Sequence, residues 1–142
     1  LTVSIGSDGQ VAPLLGVSGG VSSTQTAGTL FMSGKDIYRH AVQKMPDAVL
    51  ENMNTLGLPL TALDWVVPHQ ANQRILTGVT QKLGVGEDKL ISTVSGHANT
   101  SAASIPLALH VAAGDGRIKP GQLIACPALG AGLTWGSFVV RW

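Results

Sequence analysis

The stretch SAASIPLALHVAA, Ser101 to Ala113, constrains the fold of this chain more than any other. It has the length of a helix, and its only polar side chains are two serines and one histidine. A helix that is apolar nearly all round is buried on all sides. The chain has 142 residues, about one domain on the usual size scale. A compact chain of that size buries roughly two thirds of its unfolded surface, which gives a real core but leaves little room to cover such a helix on every face. The expectation is a missing layer: the helix packs against another half, on the same or another chain. Composition agrees, because charged residues make up only 12% of the chain where about a quarter is typical. An unusual share of the surface is therefore expected to be covered.

The rest of the chain alternates strand and helix signals. LTVSIGSDGQVAPLLGV reads as two strands around an Asp8-Gly9 hairpin turn. Residues Ser18 to Ala27 are small and polar, a loop. Ser33 and Asp36 resemble a capping box, and Ile37, Tyr38, Ala41, Val42, Met45, Val49 and Met53 follow at helical spacing. Pro46 lies inside that run and predicts a kink or a split; Gly57 and Pro59 end it. Trp65–Val67 and Leu90–Val94 read as strands, with a helix from about Ala71 to Leu83 closed by Gly84 between them. LIACPALGAGLTWGSFVVRW gives two strands around a glycine-rich bend. No repeat, linker or boundary divides residues 1–142. The pattern predicts a single layered α/β unit with a mostly parallel sheet. A chain that starts at Leu1, directly in a strand pattern, reads as a piece of something longer.

Several classes of function are disfavoured. A net charge of +1 gives no basic field for nucleic acid. No run of 18 apolar residues predicts a membrane span, and no signal peptide is recognisable. The single Cys126 cannot form an internal disulfide, which fits a reducing, cytoplasmic setting. Four histidines and one cysteine show no metal-ligand spacing, so no metal and no bound cofactor are expected.

Chemistry concentrates at strand–helix junctions. His69, in VVPHQANQRIL, follows a strand and precedes a helix, at the sheet edge where open α/β folds bind ligands. Asn99, in GHANTSAAS, occupies the equivalent place in the next unit. Alone, His69 reads equally as a hydrogen-bonded loop histidine, and Asn99 as a helix cap. Together, on neighbouring parallel strands, they offer two N–H donors to one oxygen that gains negative charge, such as an enolate. Gly130, Ala131 and Gly132 let backbone approach a ligand and expose amides, although a plain hairpin bend explains them too.

The motifs VVPHQANQRIL, GHANTSAASIPLAL, DGRIKPGQL and GAGLTWGSFVVRW together resemble β-ketoacyl-acyl-carrier-protein synthase III, a condensing enzyme of the thiolase superfamily. The resemblance runs from Leu1 to Trp142 and covers the C-terminal half of that family's chain. It implies half of a thiolase-like α-β-α-β-α sandwich, with a mixed five-stranded sheet and helices. It also implies decarboxylative Claisen condensation of acyl-CoA with malonyl-acyl-carrier protein, which starts fatty acid synthesis. His69 and Asn99 match two of the family's three catalytic residues; the third, a cysteine, belongs to the N-terminal half, so this half alone is expected to be inactive. Cys126 lies outside any matching motif and reads as a buried small hydrophobe. By the same resemblance the Ala131 amide serves an oxyanion site, Gly34, Ala71 and Asn72 line the CoA/pantetheine tunnel, and Arg39, Arg74 and Lys82 dock the acidic carrier protein. Arg74 and Lys82 are about 80° apart around one helix at 3.6 residues per turn. The expected partners are acyl-CoA, malonyl-acyl-carrier protein, the N-terminal half and a second copy in a homodimer. Ala98, Lys35, Gln81 and Leu129 depart from the family's usual residues. Two other readings stand beside this one: a related acyltransferase that does not decarboxylate, and a non-catalytic half that acts only as a partner surface.

Overall fold

The structure is a computed structural model that describes residues Leu1–Trp142. Its main sheet has strand order β1-β6-β5-β4, formed by β1 (Thr2–Ser7), β4 (Trp65–Val66), β5 (Leu123–Gly130) and β6 (Thr134–Arg141). β4 runs parallel to β5, while β6 is antiparallel to both β5 and β1. All strands thus point one way except β6, and the sheet is mixed. A fifth position is marked by one parallel bridge, Val66 to Leu90.

Helices cover both faces. On one face lie α1 (Gly34–Thr55) and α2 (Gln73–Leu83), and Ala41, Met45, Val49, Ile75 and Val79 meet Val66, Leu123, Ala125 and Val139 there. On the other face α4 (Ser104–Gly114) packs Ala108 and Ala112 on Val67, Ile91, Ile124 and Cys126. A one-turn helix, α3 (Val94–His97), precedes it. This is the layered α/β half that the motifs imply.

Several local expectations are corrected. Asp8-Gly9 does not turn a hairpin: the Asp8 carboxylate accepts from the Gln10 N–H and starts a 3-10 turn over Gly9–Leu14. β1 pairs with β6 instead, from the other end of the sequence. β2 (Leu15–Val17) pairs with β3 (Leu30–Met32), so the polar Ser18–Ala27 segment is the loop of a separate two-stranded ribbon. Pro46 does not split α1, which runs 22 residues without interruption. The helix loses one backbone bond there, but Pro46 is itself buried, between Met45 and Ala48 on the face that packs into the core. Ser33 does not cap the Asp36 N–H with its side chain; its hydroxyl donates to Asp36 Oδ2 at 2.6 Å.

Leu90–Val94 forms no regular strand. Pro68 has no N–H to give Ile91 O the next bond of the ladder, and the Gln70 side chain, only 1% exposed, fills the gap. Its amide donates to Ile91 O (3.3 Å) and accepts from the Thr93 N–H (2.8 Å), taking places a backbone ladder would fill.

The helix over Ser101–Ala113 begins as a 3-10 turn (Ser101–Ala103) and becomes α4 at Ser104. Only Ser104, Ala108 and Ala112 are fully buried; Ile105, Leu107, Leu109 and Val111 are half-buried. Next to it, β1 shows an inverted pattern. Thr2 and Ser4 bond to Asn52 and Ala48 of α1, while Leu1, Val3 and Ile5 are 67%, 66% and 78% exposed. Val3, Ile5, Ile105 and Phe138 line an open hollow of about 320 Å³ between β1 and α4.

Candidate functional site

The parallel ladder from β4 to β5 continues past the regular strand, with Val67 N–H donating to Ala125 O and His69 N–H to Pro127 O, both at 2.8 Å. It therefore carries His69 to the carboxyl edge of the sheet, beside the end of β5. Gln70 fixes the segment in place: its Nε2 also donates to Pro68 O at 2.7 Å. One buried amide thus ties the His69 segment to the 91–93 segment that leads to Asn99.

Asn99 sits in a loop held in unusual backbone shapes. Ala98 has φ 56° and ψ −161°, and Ser101 has φ 56°, regions that a residue with a Cβ occupies only at a cost of about 1–3 kcal/mol. The Asn99 Oδ1 accepts from the Ser101 N–H at 2.9 Å. It does not cap α4, whose first flanking residue is Ala103. With Oδ1 engaged, the Nδ2 group remains without a partner in the chain and is available as a donor.

The two segments meet through Ser104, the first residue of α4. Its Oγ lies 2.6 Å from His69 Nδ1 and accepts from the Gln70 N–H at 3.2 Å. His69 Nε2 has no partner in the chain. Burial pulls the His69 pKa below its usual value, so the ring is held neutral. A neutral imidazole carries one N–H and one lone pair. His69 Nε2 and Asn99 Nδ2 are thus two polar atoms left without a partner on segments that both end at the carboxyl edge of the sheet.

Ala131 lies exposed in the turn that joins β5 to β6, at the carboxyl end of β5 and so at the same edge. Its N–H bonds to no other group of the chain. Gly34 opens α1, which runs antiparallel to β1, as the Thr2–Asn52 and Ser4–Ala48 bonds require; its start therefore lies at this edge too. Ala71 is half-buried there. Asn72 is the cap of α2, with Oδ1 accepting from the Ile75 N–H at 3.0 Å.

Arg74 lies over the Tyr38 ring, 5.6 Å from its centroid, beside a shallow hollow of about 290 Å³ that Gln73, Thr77 and Gln81 also line. Arg39 is exposed and paired with Asp36 at 3.5 Å. Lys82 stands in the last turn of α2, about 12 Å along the axis from Arg74 at 1.5 Å per residue. The structure thus brings Arg39 and Arg74 to the site's end of the helices and leaves Lys82 at the other. Cys126 is buried and its thiol is pushed up to about 12 by desolvation, far from the reactive range.

Sequence reasoning missed Ser104 and Gln70. The signal for Ser104 was a hydroxyl on an otherwise apolar helix; its partner lies 35 positions away.

Known proteins resemble this chain along its whole length. Residues 53–142 match the profile of the 3-oxoacyl-[acyl-carrier-protein (ACP)] synthase III C terminal. The β-ketoacyl-[acyl-carrier-protein] synthase III of Rhodospirillum rubrum is 55% identical over 141 residues, 99% of this chain and 44% of that protein. The crystal structure of 3-oxoacyl-(acyl carrier protein) synthase III from Pseudomonas aeruginosa superimposes with a TM-score of 0.90 at 36% identity, covering 99% of this chain and 43% of that one. The Aquifex aeolicus synthase III structure gives 0.91 at 34%, again with 99% and 43% covered. The chain therefore spans less than half the length of the relatives it matches.

Proposed function

This chain belongs to the 3-oxoacyl-[acyl-carrier-protein] synthase III family, whose C-terminal part it matches, and from that premise we propose that it supplies the enolate-stabilising part of a condensing enzyme's active site. The reaction is the decarboxylative Claisen condensation of an acyl-CoA primer with malonyl-acyl-carrier protein. A cysteine from the N-terminal part of the enzyme first takes the acyl group from CoA as a thioester. His69 and Asn99 then donate to the thioester carbonyl oxygen of the malonyl group. The bond to the carboxylate carbon breaks, CO2 leaves, and the electron pair enters the enolate that the two donors hold. The enolate carbon attacks the acyl-cysteine carbonyl, a carbon–carbon bond forms, and the cysteine sulfur departs. The Ala131 amide serves the oxyanion of the acyl thioester. Gly34, Ala71 and Asn72 line the pantetheine path, and Arg39, Arg74 and Lys82 meet the acidic carrier protein. The enzyme works as a homodimer in the cytoplasm.

The observation that carries this reading is that His69 Nε2 and Asn99 Nδ2 are both left without a partner in the chain, while the other polar atom of each side chain is bonded. In the complete enzyme, His69→Ala or Asn99→Ala should lower malonyl decarboxylation about 100- to 1000-fold, the usual loss for one such donor. Acyl transfer to the cysteine should survive. Intact decarboxylation with lost acyl transfer in either variant contradicts the reading.

A further inference from the structure

We propose that Ser104 is a positioning residue that fixes the proton of His69 on Nε2, and thereby makes the imidazole a donor rather than an acceptor at the site. The inference rests on the proposed role of His69.

Ser104 is 2% exposed, so its hydroxyl must find partners inside the protein. A hydroxyl has one proton to give and two lone pairs. One lone pair accepts the Gln70 N–H at 3.2 Å. The only other group within bonding distance is His69 Nδ1, at 2.6 Å. If Nδ1 carried the proton, Ser104 would accept twice and its own O–H would point at nothing in a buried place, which is costly. If Nδ1 is bare, the O–H donates to it and every group is satisfied. The neutral ring then carries its proton on Nε2, the nitrogen without a partner in the chain. Burial, which keeps the ring neutral, makes this choice of nitrogen matter.

The Gln70 N–H has a second part in this. It occupies the hydroxyl's acceptor side and turns the O–H toward the ring. Gln70 itself is locked by its side chain to Pro68, Ile91 and Thr93. The proton on His69 is therefore set by a relay of backbone amide, hydroxyl and imidazole that spans α4 and the end of β4.

The test uses the complete enzyme with 15N-labelled histidine. A long-range 15N–1H spectrum distinguishes the two tautomers, and a His69→Gln spectrum identifies the signal. The expected result is a bare Nδ1 and a protonated Nε2 on neutral His69. In Ser104→Ala the tautomers should mix. Decarboxylation should fall about 10- to 100-fold, the range seen when the group that orients a metal-bound imidazole is removed, while acyl loading of the cysteine continues. Ser104→Thr, which keeps the hydroxyl, should restore both the spectrum and the rate. A protonated Nδ1 in the unmodified enzyme overturns the proposal without any variant. So does a Ser104→Ala enzyme whose spectrum and rate are unchanged. Retained decarboxylation in His69→Ala would instead remove the proposed function and leave the tautomer assignment standing.

Discussion

His69 shows how much of a residue's chemistry depends on partners its own sequence neighbourhood does not reveal. That a histidine stands at this junction was legible in VVPHQANQRIL. Its charge state was not, because the burial that sets it comes from α4 and β5. The direction of the shift has a consequence for stability. The folded protein holds His69 below its usual pKa of 6.5, while the unfolded chain protonates it near that value. The unfolded state therefore binds more protons in the window below 6.5, and stability falls as pH falls. The contribution is complete above 6.5 and is lost as pH drops through the lowered folded value. An NMR titration of the complete enzyme should give His69 a midpoint below 6.5, and a midpoint at or above 6.5 would refute this. Asn99 was legible as a donor only in company with His69; alone it read as a helix cap, and the bond to the Ser101 N–H shows a local loop bond in its place.

At the scale of elements, the sequence reading succeeded where a pattern was closed by its own local signals. α2 has an asparagine cap and a left-handed Gly84 to end it, and β5 and β6 are long and regular. It failed where a distant partner decided. Asp8-Gly9 looked like a hairpin because β6, the strand that pairs β1, lies more than a hundred residues away. Leu90–Val94 looked like a strand because nothing local reports that the Gln70 side chain takes the ladder's bonds. The crossing of α1 and α2 is a similar case, set by Gly78. A Cβ there would lie 2.7 Å from Val42 Cγ1 and 3.1 Å from the Tyr38 hydroxyl. Gly78→Ala gains about 1 kcal/mol of helix propensity but overpacks the crossing at about 1–3 kcal/mol. Denaturant unfolding should show a net loss, recovered when Val42→Ala is added. A Gly78→Ala protein at least as stable as the parent would mean the helices are free to part.

For the whole molecule, the inverted pattern of β1 is the informative feature. Its polar side chains face α1 and its apolar ones face outward, beside the half-covered flank of α4. The low charge content and the apolar helix had already pointed to a missing layer, and the relatives extend well beyond this chain's length. On the proposed function, the cover is the N-terminal part that the relatives have and this chain lacks. This chain produced alone should self-associate through that face. Val3→Lys with Ile5→Lys should make it monomeric by sedimentation, and the same pair should weaken assembly of the complete enzyme. A parent chain that stays monomeric at high concentration would argue that the face is not a contact surface. No helix is long and apolar enough to cross a membrane.

The bond between His69 and Ser104 makes the stretch of chain between them a gauge. One residue added just ahead of Ser104 would turn α4 by about 100° for an unchanged docking of its start, and carry the hydroxyl off the ring. The phase of α4 relative to the His69 segment is thus fixed by two residues that share no motif. The junction of the 3-10 turn with α4 therefore cannot lengthen without losing the bond. The place to look for that constraint is in where insertions are tolerated, since neither side chain alone records it.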